Sequence, residues 1–247
     1  MKLDDVKKLH QKKYRSQFGF YLVEGEHLVQ ELQRSALMSE AITVYVTNSW
    51  RERGVVLDDR FDVVTVSDRQ MASLSDTKTP QGIIARVPLQ TSVEKMTATQ
   101  GERCVYLHEI QDPGNLGTIL RTLAWFGGFR LLLSPNSVDP FNSKAVRASM
   151  GAIFHVPVES EVTLAQLQAK FDRFAYLDLN GTDIHHSTFA DYPCYLFGNE
   201  ARGVPSAALQ ATSAEAFTIS GSGCIESLNL ASAVGICVYQ LSHPPTQ

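Results

Sequence analysis

The stretch from residue 226 to 241 leaves this chain few ways to fold. It opens on small polar residues, Ser227 and Asn229 among them, suited to a tight loop and a helix N-cap. Leu230, Val234, Cys237 and Leu241 then recur at helical spacing, while Leu228, Ala231, Ile236 and Val238 lie off that stripe. A helix apolar almost all round must be covered on more than one side, by the core of its own domain and by a second surface. A partner subunit can provide that surface.

Upstream, strand-like and helix-like segments alternate. Residues 18–25, 41–47, 63–66 and 82–87 read as strands, with a basic helix over 4–14 and an amphipathic helix over 26–37. Together they predict a small α/β domain over 1–89. Residues 90–102 are polar and aperiodic, as a linker would be. Beyond them, strands are predicted at 103–110, 129–133, 174–179, 194–197 and 216–220, and helices at 115–126, 143–150, 164–171 and the C-terminal run. This alternation over 103–247 predicts an α/β domain with a mostly parallel sheet, whose ligands sit at the carboxyl ends of strands.

Charge and cysteine usage narrow the function classes. The formal net charge is −4, which excludes a protein that coats nucleic acid indiscriminately. Lys2, Lys7, Lys8, Lys12, Lys13 and Arg15 nevertheless crowd the start of the chain against only Asp4 and Asp5. With Tyr14 interleaved, this cluster is either a solvated amphipathic helix or a local RNA contact in which an aromatic ring stacks on an unpaired base. Cys104, Cys194, Cys224 and Cys237 have no short paired spacing, so neither a zinc site nor a disulfide framework is indicated. The acidic start and the lack of a long apolar run predict no secretory signal, no membrane span and a cytoplasmic location. Neither a dinucleotide fingerprint nor a P-loop occurs.

Three loops that follow predicted strands carry the candidate chemistry. The first, 111–121, runs Gln-Asp-Pro-Gly-Asn-Leu-Gly into a helix whose core face is Leu116, Ile119, Leu120 and Leu123. Arg121 lies about 140° from Leu116, turned away from that face. It is a solvated arginine or a functional one, and Asn115 is an N-cap or a site residue. In the second loop, 196–205, Gly198 and Gly203 bracket Glu200, which either pairs with Arg202 or faces a ligand. The third, 219–229, is built of small residues and ends in Ser227-Leu228-Asn229. Lys144 and Arg147 share a helical face that is either solvated or set against phosphate.

Taken in order, Asn115-Leu116-Gly117 with Arg121, Gly198-Asn199-Glu200 with Gly203, and Ile219 followed by Ser227-Leu228-Asn229 resemble the SpoU (TrmH-like) family of RNA ribose 2′-O-methyltransferases, within the SPOUT superfamily. The likeness spans about 103–241 and extends to Phe20-Tyr21-Leu22-Val23-Glu24-Gly25, similar to the start of the family's small N-terminal RNA-binding domain, an L30e-like fold. The resemblance implies a deep trefoil knot in the C-terminal half and S-adenosyl-L-methionine as cofactor, with backbone contacts at Gly198, Ile219 and Leu228. It implies a homodimer through the C-terminal helix and no metal. Arg121 would act on the ribose hydroxyl, as general base or as electrostatic stabiliser, with Asn115, Glu200, Ser227 and Asn229 orienting it and the ribose. Lys8, Lys12, Lys13, Tyr14, Arg15, Lys144 and Arg147 would contact RNA, ribosomal more than transfer RNA. The competing expectation is a noncatalytic RNA-binding or ribosome-assembly protein on the same scaffold.

Overall fold

A computed structural model describes residues 1–35, 41–89, 101–205, 209 and 213–243. The chain forms two compact units, one of Met1–Ser92 with Asp139–His155, the other of Val93–Val138 with Val156–Gln247. The predicted linker lies largely outside the described residues.

The first unit is a four-stranded mixed sheet with helices. Its strands are β1 (Phe20–Glu24), β2 (Thr43–Val46), β3 (Asp62–Thr65) and β4 (Ile83–Pro88), in the order β1-β4-β2-β3. β4 runs antiparallel to β1 and β2, whereas β2 and β3 are parallel. The basic helix expected over 4–14 is instead two, α1 (Leu3–Lys8) and α2 (Lys12–Phe18). Between them Leu9 is buried and His10 bonds through Nε2 to the Leu74 carbonyl oxygen at 2.7 Å, so tertiary contacts override helix continuation. Helix α3 (Glu26–Arg34) is shorter than the expected 26–37 and buries Leu28, Val29 and Leu32 of the predicted stripe, whose Ala36 and Leu37 lie outside the described residues. Two short helices were not foreseen. In α4 (Asn48–Arg51) the Thr47 hydroxyl accepts from Trp50 N–H, and α5 (Asp68–Leu74) starts at a reciprocal capping box of Ser67 and Gln70.

The second unit is a six-stranded sheet in which every described pairing is parallel, as the alternation predicted. Its strands are β5 (Arg103–Leu107), β6 (Phe129–Leu133), β7 (Val158–Glu159), β8 (Phe174–Asp183), β9 (Cys194–Phe197) and β10 (Ala214–Thr218), ordered β10-β8-β9-β5-β6-β7. From β5 the chain builds outward through β6 and β7, then crosses to the far side of β5. The crevice between β5 and β9 is therefore a topological switch point. Compared with expectation, β8 runs four residues longer and β10 starts and ends two residues earlier, leaving Ile219 just beyond its end. Cys104 and Cys194 are buried in this sheet, and burial pushes the Cys104 thiol up to about 11 and the Cys194 thiol well above its usual value, which removes both from nucleophilic chemistry.

Helix α6 (Pro113–Phe126) follows β5, and α7 (Ser143–Ala148) belongs to the part of the chain that joins the first unit. Helix α8 (Leu164–Lys170) precedes β8. The last helix, α9 (Leu230–Ser242), packs on α6 and buries Ala231, Val234, Cys237, Val238 and Leu241. Ile236 and Tyr239 remain 40% and 57% exposed, so the chain's own core covers one side of this apolar helix and leaves the other open.

Candidate active site

The loops after β5 and β9 and the start of α9 meet through side-chain amides and one carboxylate. Asp112, not Asn115, caps α6, since its carboxylate accepts from the Asn115 N–H at 2.6 Å and Pro113 occupies the first turn. Asn115 thus sits inside the helix with its side chain free for other partners. Its Nδ2 donates to Glu200 at 3.3 Å, and its Oδ1 accepts from Asn229 Nδ2 at 3.0 Å. Asn229 is the N-cap of α9, accepting through Oδ1 from the Ala231 and Ser232 N–H groups at 2.9 and 3.3 Å. Glu200 accepts in addition from the Gln111 and Asp112 N–H groups, at 3.2 and 3.3 Å. Three segments separated by 85 and 114 residues therefore share one chain, Glu200 to Asn115 to Asn229.

Gly198 begins the Glu200 loop, and a Cβ there would overlap the backbone of Gly203 and Val204. Asn199 and Gly203 close that loop with two mutual backbone hydrogen bonds of 2.9 Å, so only glycine fits position 198. Ser227 and Leu228 are exposed, immediately before Asn229, and Leu228 at 45% presents apolar surface beside polar loops. Ile219 is half-buried after β10. Arg121 is exposed on α6 and among the described residues makes no hydrogen bond or ion pair. Six residues past Asn115, it is about 9 Å further along the axis and about 120° around it, off Asn115's face. The structure therefore joins Asn115, Glu200 and Asn229 but does not bond Arg121 or Ser227 to them.

Among the residues expected to contact RNA, Arg15 requires correction. It is only 4% exposed, and its guanidinium is committed to Asp139 Oδ2 (3.0 Å from Nε) and to the Leu9 and His10 carbonyl oxygens, each at 2.8 Å. A buried arginine with these partners serves the fold of the first unit. Arg147 is likewise engaged, 3.9 Å from Glu24 and 3.6 Å from Asp76. Lys12, Lys13 and Lys144 are exposed, as is Lys8, which pairs with Asp5 at 2.9 Å. Lys8 and Lys13 flank the Tyr14 ring at 5.8 and 5.7 Å, and Tyr14 itself stacks on Phe18.

Two residues support the site without a role assigned from the sequence, Asn199, which the motif contains, and Glu109. Asn199 is 7% exposed and donates through Nδ2 to the Glu109 carbonyl oxygen at 2.7 Å. Glu109 holds a left-handed backbone, φ 52°, and its carboxylate pairs with Arg202, which the sequence left open as a partner of Glu200. The signal for the first was its place in Gly198-Asn199-Glu200, directly after an apolar strand; a left-handed glutamate leaves none.

Comparison with known proteins gives this site its context. Residues 102–239 match the model of the SpoU rRNA Methylase family. The chain belongs to that family. Residues 2–85 match an MRM3-like substrate binding domain. The 23S rRNA (guanosine(2553)-2′-O)-methyltransferase RlmP of Bacillus subtilis is 31% identical over 245 residues, covering 97% of this chain and 95% of its own. Human mitochondrial rRNA methyltransferase 3 is 31% identical over 151 residues, 59% of this chain and 36% of its own. Among solved structures, AdoMet-bound rRNA methyltransferase from Sinorhizobium meliloti superposes with a TM-score of 0.79 at 26% identity, covering 99% of this chain and 95% of that one. The family assignment agrees with the ordered motifs that Asn115, Glu200 and Asn229 unite.

Proposed function

We propose that this SpoU-family methyltransferase transfers a methyl group from S-adenosyl-L-methionine to a ribose 2′-hydroxyl of structured ribosomal RNA in the cytoplasm. The observation that carries the reading is the hydrogen-bonded chain from Glu200 through Asn115 to Asn229 at the carboxyl ends of β5 and β9. The loops fit the cofactor: polar amides converge beside half-exposed Leu228, apolar surface that an adenosine or methionine moiety can cover. Gly198, Ile219 and Leu228 would hold it through their backbones.

When bound, S-adenosyl-L-methionine supplies the methyl group on a positively charged sulfur. The chain's own residues hold and activate the acceptor. Glu200 fixes the Asn115 amide, whose other end is fixed by Asn229, so Asn115 has no freedom to reorient as the ribose docks. Arginine keeps its proton at any ordinary pH. Arg121 therefore serves as an electrostatic stabiliser of the charge developing on the attacking oxygen, worth about 3 kcal/mol for a single donor. Ser227 lies next to this chain and would orient the ribose, and a phosphate of the RNA would accept the departing proton.

The exposed apolar side of the C-terminal unit supports a homodimer, and membership of the family implies a trefoil knot. The open side of α9 carries Ile236 and Tyr239, and Trp125 near the end of α6 is 83% exposed, an apolar surface suited to a second copy of the chain. The trefoil knot follows from the family reading alone: the close approaches at Gly198 against Gly203 and at Gly181 against Phe217 lie within one loop and between two paired strands. Because Arg121 stays outside the hydrogen-bonded chain of one subunit, we place it in a site completed by both. In the N-terminal unit, the L30e-like substrate domain of this reading, the exposed Lys8, Lys12, Lys13 and Lys144 with Tyr14 would form a local, salt-sensitive RNA contact.

Calorimetric titration with S-adenosyl-L-methionine checks the cofactor. Saturable binding with one site per chain is expected. No binding by the folded protein would favour a noncatalytic role in RNA binding or ribosome assembly.

A further inference from the structure

We infer that Glu109 is a positioning residue that sets the frame of the Glu200 loop through its left-handed backbone. The inference rests on the reading above that this loop serves the cofactor and the ribose.

Glu109 follows β5 with φ 52°, a conformation that a residue with a side chain holds only when its surroundings impose it. Here they do so from three directions. Its N–H donates to Ser134 Oγ at 2.7 Å. Its carbonyl oxygen accepts from Asn199 Nδ2 at 2.7 Å and from Gln111 Nε2 at 2.9 Å. Its carboxylate pairs with Arg202.

The consequence runs through Asn199. The same buried amide that donates to Glu109 accepts through Oδ1 from the Ala201 and Arg202 N–H groups, both at 3.0 Å. The Glu109 carbonyl thus holds one end of an amide whose other end holds the turn around Glu200. Glu200's own bonds, 3.2 to 3.3 Å, are longer than the 2.7 to 3.0 Å bonds of Asn199, so the turn held by Asn199 sets the position from which Glu200 reaches Asn115. A backbone returned to negative φ at 109 swings the carbonyl away from both amides and leaves Glu200 to drift from Asn115.

The test uses the full chain with Glu109→Gly, Glu109→Val and Arg202→Ala. Glycine keeps the left-handed backbone without strain while removing the carboxylate, whereas a β-branched residue opposes that backbone. For Glu109→Val, the expected result is a rise in the dissociation constant for S-adenosyl-L-methionine, and a fall in kcat, of about tenfold or more. Glu109→Gly and Arg202→Ala should stay within about threefold of the parent, because the ion pair they remove is exposed on one side. A second readout needs no cofactor: the amide resonances of Gln111 and Asp112, which donate to Glu200, should shift in the valine variant and hold in the glycine variant. Should the valine variant fail to fold, Glu109→Ala, which opposes the same backbone more mildly, takes its place, with a loss smaller than about tenfold but larger than in Glu109→Gly expected and equality with Glu109→Gly overturning the inference. A tenfold loss in Glu109→Gly, or unchanged amide resonances in a folded Glu109→Val, overturns the inference. Absence of cofactor binding by the parent protein, with the resonance contrast intact, would instead count against the proposed function.

Discussion

Replacing Arg121 with alanine is expected to lower methyl transfer to RNA by about 100-fold or more while the affinity for S-adenosyl-L-methionine changes by less than about twofold. Arg121 is exposed and without a hydrogen bond or ion pair among the described residues, so its removal leaves no buried partner stranded and the fold should be indifferent to it. The stabilising charge would be lost only where negative charge develops on the ribose oxygen, which lowers kcat and kcat/KM together. Arg121→Lys should recover only part of the rate, because an ammonium group keeps the charge but not the planar fork of donors. Single-turnover assays with labelled cofactor give the rate, and calorimetry gives the affinity. Turnover retained within about threefold in Arg121→Ala would remove the residue from its role.

The second large effect is expected at the open side of α9. Ile236→Asp combined with Tyr239→Asp should halve the molecular mass in solution and reduce methyl transfer about 100-fold or more, since aromatic anchors carry a large share of interface energy. Both residues are substantially exposed, so the substitutions spare the core of the chain. Val234 and Val238, also in the apolar run, would give an ambiguous answer: each is fully buried against its own domain, and a charge there would unfold it. Coupling between assembly and activity is expected because Asn229, the N-cap of α9, bonds Asn115 directly. Light scattering and activity measured on the same sample test the coupling. A monomer with full activity would separate the two.

How far the sequence reveals this site depends on the kind of information each residue carries. Asn115, Glu200 and Asn229 are visible as members of ordered motifs, and the parallel sheet is visible in the alternation of segments. That one carboxylate and two amides form a chain is not visible, because their partners are far apart in sequence. Arg15 shows the limit of counting charge: it stands among lysines in the chain, but Asp139, 124 residues away, draws it into the interior. The split of the basic helix has the same cause, a contact from His10 to the Leu74 carbonyl. The Ser67–Gln70 capping box, by contrast, is a local signal for α5 that the short apolar content of 68–74 obscured. Glu109 is the hardest case, since nothing about a glutamate predicts a positive φ and only its assembled neighbours impose one.

The chemistry of the transferred methyl group tests the central claim most directly. Ribosomal RNA from cells lacking the gene, compared with RNA from the parent strain, should show one ribose 2′-O-methylation missing, and the purified protein with S-adenosyl-L-methionine should restore it at the same nucleotide. Loss of a base methylation with every ribose methylation intact would contradict the assignment of a 2′-hydroxyl acceptor.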